Sequence, residues 1–261
     1  MEIFSYPFFQ RALVGTLIIS VAAAIIGVYI MSRRMLFISG GVTHACFGGL
    51  GLGYFLGVSP LAMAAVFAVG GSLGVDWLAS KPRVRKDSAI AVIWAVGMAL
   101  GILFIFLSGG YVPELNSLLF GNVLTVSFRD LISFSIYTAL LLLFFLPARR
   151  AIAAVSFDPA FSRVNGMPVR WLDCIMTVFV AVGIVLSIRI AGIMMLMSLL
   201  SLPPMIAETR TRRFDALVAA SVVISAVGCA LGLLLAYLIG VPASATIVLL
   251  LALFYLAARI F

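Results

Sequence analysis

Apolar runs long enough to cross a bilayer recur from one end of this chain to the other. A hydrocarbon core about 30 Å thick takes about 20 residues of helix to span. Inside it an unpaired backbone group costs several kcal/mol, so each run must close its own hydrogen bonds as a helix. Nine such segments can be drawn, at roughly Arg11–Met31, Met35–Leu56, Leu61–Ser80, Ser88–Leu107, Asp130–Leu146, Trp171–Ile188, Ile190–Ile206, Phe214–Ile239 and Ser244–Ala258. The seventh is short and ends in Pro203-Pro204, so it is a separate broken span or merges with the sixth, which makes eight spans the alternative. Charge supports the same class. Only 10% of the 261 residues are charged and mean hydropathy is +1.27, whereas a soluble domain carries about 25% charge. The predicted fold is an all-α integral membrane protein, a polytopic bundle of about nine helices in one domain over residues 1–261.

The net charge of +8 reads as a topology signal rather than a nucleic-acid footprint, because the basic residues cluster between apolar runs and cytoplasmic loops collect Lys and Arg. Alternate connections hold Arg33 and Arg34; Lys81, Arg83, Arg85 and Lys86; Arg149, Arg150, Arg163 and Arg170; Arg210, Arg212 and Arg213; and Arg259. Of the 17 basic residues, only Arg11, Arg129 and Arg189 fall on the other side. With nine spans this bias puts the N-terminus outside and the C-terminus in the cytoplasm. The start, MEIFSYPFFQR, lacks a signal peptide's basic region and cleavage site, so the first run is expected to stay as a helix. Cys46, Cys174 and Cys229 are scattered with no CxxC pair, which implies apolar packers and neither a disulfide framework nor a zinc knuckle.

Two connections exceed a simple turn. Gly109–Ser127, on the outer side, is half apolar and re-entrant in character. Ala148–Arg170, on the inner side, contains Asp158 and Pro159 as helix-starting residues and Gly166 as a helix end. A short surface helix there would be a handle for a soluble partner. Four GxxxG pairs (Gly49/Gly53, Gly70/Gly74, Gly97/Gly101 and Gly228/Gly232) let helix backbones approach closely where lipid offers no hydrophobic drive. Packing within one bundle is the preferred reading over a dedicated dimer face.

His44 is the only histidine. Counted from Met35, about nine residues at 1.5 Å each put it about 14 Å deep, near the middle of the second span. Its helical neighbours on the same face are Phe37, Gly40, Gly41, Phe47, Gly48 and Gly51. Intramembrane ionisable groups are functional candidates and neutral imidazole is a common metal ligand; a structural hydrogen bond to a neighbouring helix is the equal alternative. Cys46 faces away and is no co-ligand. Met194, Met195 and Met197 match a soft-metal site in type, but flexible core filling is the commoner use of methionine. Asp76 and Glu208 fall near cytoplasmic ends, Glu114 and Asp130 near the outer face. With no GxxxxGK(S/T) loop, GxSxG elbow, HExxH motif or second histidine, the chain is read as neither an enzyme nor an ATPase itself.

Three stretches resemble the ABC-3 type permease family of zinc, manganese and iron importers: RRMLFISGGVTHACFGGLGLG at Arg33–Gly51; SLLFGNVLTVS at Ser117–Ser127; and SFDPAFSRVNGMPVRWLD at Ser156–Asp173, followed by AGIMMLMSLLSLPP at Ala191–Pro204 and PASATIVLL at Pro242–Leu250. The resemblance covers nearly the whole chain. It implies a homodimeric permease of the bacterial inner membrane that carries a divalent metal as substrate and binds no cofactor of its own. It further implies two ATPase subunits docked on Phe157, Asp158, Pro159, Gly166 and Pro168, within a cytoplasmic coupling loop at about 148–170. An extracytoplasmic binding protein would deliver the metal, and His44 would lie on its path. The family usually has Asp four residues before this His; here that position is Gly40, which removes a hard oxygen ligand and leaves the metal open. The alternatives are a stand-alone secondary transporter or channel, which would need intramembrane acids, and an ABC permease for a metal chelate.

Overall fold

The computed structural model describes residues 6–108 and 126–260, without the side chains at 189 and 190. Glu114 and most of the Gly109–Ser127 connection, with the SLLFGNVLT part of the second resembling stretch, lie outside the described residues. All regular structure among the described residues is helical. In chain order it comprises α1 (Pro7–Ser32), α2 (Ile38–Leu56), α3 (Pro60–Ala79), α4 (Lys86–Leu107), α5 (Phe128–Phe157), α6 (Pro159–Val164), α7 (Val169–Glu208), α8 (Phe214–Ile239) and α9 (Ala243–Ile260).

The sixth and seventh segments stay two spans, as the reading of nine segments has it, although their helices run on from one another. α7 is one run of 40 residues whose backbone breaks at Gly192, with φ 72° and ψ 167°. That region is essentially reserved for glycine, so the break divides α7 into two spans, α7a (Val169–Ile188) and α7b (Ala191–Glu208). Among the described residues, eight helical pieces are long and apolar enough to cross a membrane. The ninth, α2, has the length at 19 residues, but its glycines, Ser39, Thr43 and His44 dilute its hydropathy.

The fifth segment runs further than expected. The segment is drawn only to Leu146, yet α5 continues through Pro147 to Phe157, so residues 148–157 are helix rather than loop. An interior proline costs about 3 kcal/mol, and packing at the helix end offsets it. Phe145 and Phe157 both meet Phe214, with ring centroids 6.1 and 6.2 Å apart. Arg33 donates to the Val155 carbonyl at 3.2 Å, and Arg149 lies 4.0 Å from Asp215. At the other end Ser127 and Asp130 form a reciprocal capping box, which is the role the structure gives Asp130.

The chain divides into two compact units. Residues 1–34, 116–167 and 186–261 form one, and residues 35–115 and 168–185 the other. In the first, α1 is the central helix, with 72% of its span buried. Gly27 faces the Leu200 carbonyl and Pro204 of α7b so closely that a Cβ there would lie 2.9 Å from Pro204 Cγ. Gly228 and Gly232 of α8 accept Leu251 and Ile247 of α9 in the same way. In the second unit α2 touches two neighbours. Gly49 and Gly53 meet Met63, Ala64 and Pro60 of α3, while Gly48 and Gly51 meet the carbonyls of Gly97 and Gly101 on α4. Large side chains such as Phe106, Leu143, Leu249 and Leu253 stay exposed. A chain whose outward faces are this apolar is built for lipid.

Three of the four GxxxG pairs pack inside a unit, as expected; the fourth does not act as a pair. Gly74 has only Ile93 at contact distance and Gly70 faces open space. The two kinds of glycine should therefore separate experimentally. A Cβ at Gly97 would sit 2.6 Å from Ala45 Cα and 2.7 Å from the His44 carbonyl, both backbone atoms that cannot rotate away. We expect Gly97→Ala to lower stability by about 1–3 kcal/mol, the range for overpacking, and Gly70→Ala to leave it unchanged. Thermal unfolding of the detergent-purified variants measures both.

Candidate functional site

His44 is placed by the α2–α4 crossing. α2 begins at Ile38, not Met35, because Arg34 turns the chain at φ 55° and Met35 and Phe37 carbonyls accept the first bonds. His44 thus lies about 9 Å along α2 at 1.5 Å per residue, a third of its length rather than the midpoint expected. Gly48, Gly51, Gly97 and Gly101 bring the two backbones together, and the imidazole stacks on the face of Trp94 from α4, with centroids 4.4 Å apart and planes 17° from parallel. Its Nδ1 stands 3.0 Å from Met98 Sδ, also on α4. The ring is half-buried, and among the described residues Nε2 has no hydrogen-bond partner.

Gly40 is buried one turn before His44, and no carboxylate, thiol or second imidazole joins His44 in a cluster among the described residues. Cys46 is fully buried away from the ring. Met194 is exposed while Met195 is completely buried, so these neighbours serve different faces of α7b and do not converge. Asp76 is half-buried and accepts a bond from Thr177 at 3.2 Å. A cavity of about 510 Å³ between α7b, α8 and α9 is lined by Val223, Ile224, Val227, Phe254 and Arg210. Its walls are apolar and its charge is positive, which suits no cation.

The second cluster surrounds α6. Asp158 caps this helix by accepting the Phe161 N–H at 2.9 Å, and Pro159 occupies its first turn. At the other end Gly166 takes φ 73°. The Gly166 N–H bonds the Arg163 carbonyl, and the Met167 N–H bonds that of Ser162. These two bonds make a Schellman closure, so Asp158, Pro159 and Gly166 shape the element. Phe157, Phe161 and Val164 stay exposed, Val164 at 89%; periodicity had not singled out Phe161 or Val164, because six residues are too few to show a face. Pro168 begins the next element, its carbonyl accepting from Trp171 and Leu172.

These features define a multi-pass, all-helical membrane protein with one imidazole set inside a glycine-rich span and a short capped helix with apolar residues exposed. The sequence profile of the ABC 3 transport family matches residues 5–261, and the chain belongs to that family. It is 36% identical over 261 residues to an uncharacterized membrane protein of Synechocystis, covering 100% of this chain and 93% of that one. It is 29% identical to the chelated iron transport system membrane protein YfeD of Yersinia pestis, over 100% of this chain and 87% of the relative. The solved structure of PsaBC from Streptococcus pneumoniae in complex with Fab superposes with a TM-score of 0.86 at 25% identity, over 98% of this chain and 92% of that chain.

The caps of α6 are open to measurement. Asp158→Ala should cost about 1 kcal/mol of local stability, and Gly166→Ala a similar amount at its positive φ. Both changes should speed hydrogen exchange at the Phe161 amide and leave the α1 amides untouched.

Proposed function

We propose that this chain is the membrane permease of an ABC importer for a divalent metal ion, working as a homodimer in a bacterial inner membrane. The observation that carries the reading is the lone imidazole of His44 in the glycine-rich span α2. Its Nε2 has no hydrogen-bond partner among the described residues, in a chain of the ABC 3 family with a relative named for chelated iron transport. A half-buried neutral imidazole offers a metal ion one nitrogen without the cost of a buried charge. Gly40 leaves the ion without a carboxylate on that face, so the site would hold its cargo weakly, as a conduit requires. Zinc, manganese and iron remain the candidate ions. The name of the Yersinia relative keeps a chelate as the second reading.

Energy would come from a separate ATPase, since the chain carries no phosphate-binding loop. α6 is the proposed docking element. Its capped ends stiffen it, and Phe157, Phe161 and Val164 offer it apolar contact area. An extracytoplasmic binding protein would deliver the ion from the opposite side. In this orientation the N-terminus is outside and the C-terminus cytoplasmic, in agreement with the basic clusters.

Single cysteines test the orientation. Substituted at Pro82 and Asn165 they should react with an impermeant thiol reagent only from the cytoplasm, and at Ser59 only from outside. Reaction of Asn165→Cys from outside would reverse the topology and detach α6 from any ATPase.

Transport assays test the site. In proteoliposomes with the partner subunits, His44→Ala should reduce ATP-dependent uptake of the metal while the complex still assembles. Gly40→Asp adds a carboxylate one turn away, within reach of the same ion. We expect it to tighten metal binding and slow release, with the gain lost in the Gly40→Asp, His44→Ala double variant. Uptake undiminished by His44→Ala would remove this residue from the path.

A further inference from the structure

The ring of His44 meets two side chains of α4, and they stand four residues apart on one face of that helix. Trp94 covers one face of the imidazole at 4.4 Å, and Met98 Sδ lies 3.0 Å from Nδ1. Between them in sequence is Gly97, whose missing side chain lets α4 come against the His44 carbonyl and Ala45 Cα. The close crossing and the two ring contacts are thus one construction.

The short nitrogen–sulfur distance has two readings. If both atoms bound one ion, bond lengths of about 2.0–2.1 Å to nitrogen and about 2.3 Å to sulfur in a tetrahedral site would set them about 3.6 Å apart. At 3.0 Å the two atoms instead touch each other directly, with no room for an ion between them. Two bare lone pairs at this distance would repel each other. A thioether has no proton to give, so the hydrogen must sit on Nδ1 and point at sulfur.

We infer that Met98 and Trp94 are positioning residues that hold neutral His44 in the Nδ1–H tautomer and leave Nε2 as the atom that meets a metal ion. The inference deepens the proposed function and rests on it only for the metal; the tautomer follows from the contacts. A metal-binding histidine usually donates its other N–H to a carboxylate or carbonyl, which raises its basicity. Sulfur is a weaker acceptor. Met98 therefore fixes the ring's direction while raising its affinity little, which favours passage over retention. Trp94 prevents the ring from turning its face, so Nε2 keeps one heading.

Because His44 is the only histidine, a full-length chain labelled with 15N-histidine gives the spectrum of one ring. At about pH 8, above the ordinary imidazole range, the parent protein in nanodiscs should show a protonated Nδ1 and a bare Nε2. Met98→Leu keeps the volume but removes the acceptor, and should move the population toward Nε2–H. Met98→Gln supplies a carbonyl and should restore the parent pattern. Adding zinc ion alone should shift Nε2 and leave Nδ1 protonated. Uptake in the assembled transporter should fall about 10-fold in Met98→Leu, the scale of lost support to a ligand, and recover in Met98→Gln. A parent spectrum with Nε2–H, an unchanged Met98→Leu spectrum, or zinc bound at Nδ1 would overturn the inference. If Met98→Leu does not fold, the parent spectrum still decides. Absence of any zinc shift counts against the metal path, not against the tautomer.

Discussion

Lipid gives the peptide group nothing to bond to, and the rest of this structure follows from that constraint. Every span must be a helix, and once every span is a helix the apolar faces gain nothing by meeting one another, because the surrounding chains are as oily as leucine. Cohesion then depends on contact distance. The molecule meets this demand with glycine at the crossings: Gly27 against α7b, Gly228 and Gly232 against α9, and Gly48, Gly51, Gly97 and Gly101 between α2 and α4. At such crossings dispersion summed over many atom pairs replaces the hydrophobic effect as the source of cohesion.

The same device builds the candidate site. A side chain at Gly97 would push α4 away from α2 and carry Trp94 and Met98 off the His44 ring. Packing and chemistry share these residues, so a variant here must be judged on assembly before it is judged on transport. α6 is separated from this coupling. Its shape comes from local bonds of Asp158 and Gly166, and its exposed residues can change without disturbing a core.

Much of this was legible in the sequence. Apolar runs located each of the nine long helices described, since lipid ties apolar length to span, although α2 is diluted by its glycines. Asp158, Pro159 and Gly166 marked α6 because capping is a contact between near neighbours in the chain. What failed was tertiary. The fifth apolar segment ends at Leu146, and Phe214, far along the chain, explains why the helix persists through Pro147. Gly70/Gly74 and Gly97/Gly101 have the same spacing, yet one faces space and the other a backbone. The partners of His44 were invisible because Trp94 and Met98 lie about fifty residues away on α4, with nothing but the fold to join them. The boundary between α7a and α7b was legible at Ile188–Ile190, and the structure puts the backbone break two residues on, at Gly192.

The composition of α2 has a consequence for how the protein is made. The glycines that let α3 and α4 approach also leave this span less apolar than the other eight. A segment enters the bilayer from the translocation machinery according to its own hydropathy, and α2, with a histidine and Gly40, Gly41, Gly48, Gly49, Gly51 and Gly53, has little drive to leave the aqueous channel alone. Its neighbours supply what it lacks. α3 follows α2 after a three-residue turn and can enter with it as a hairpin, and α4 completes the packing. Insertion of this unit should therefore be cooperative, with α2 held by its partners more than by lipid.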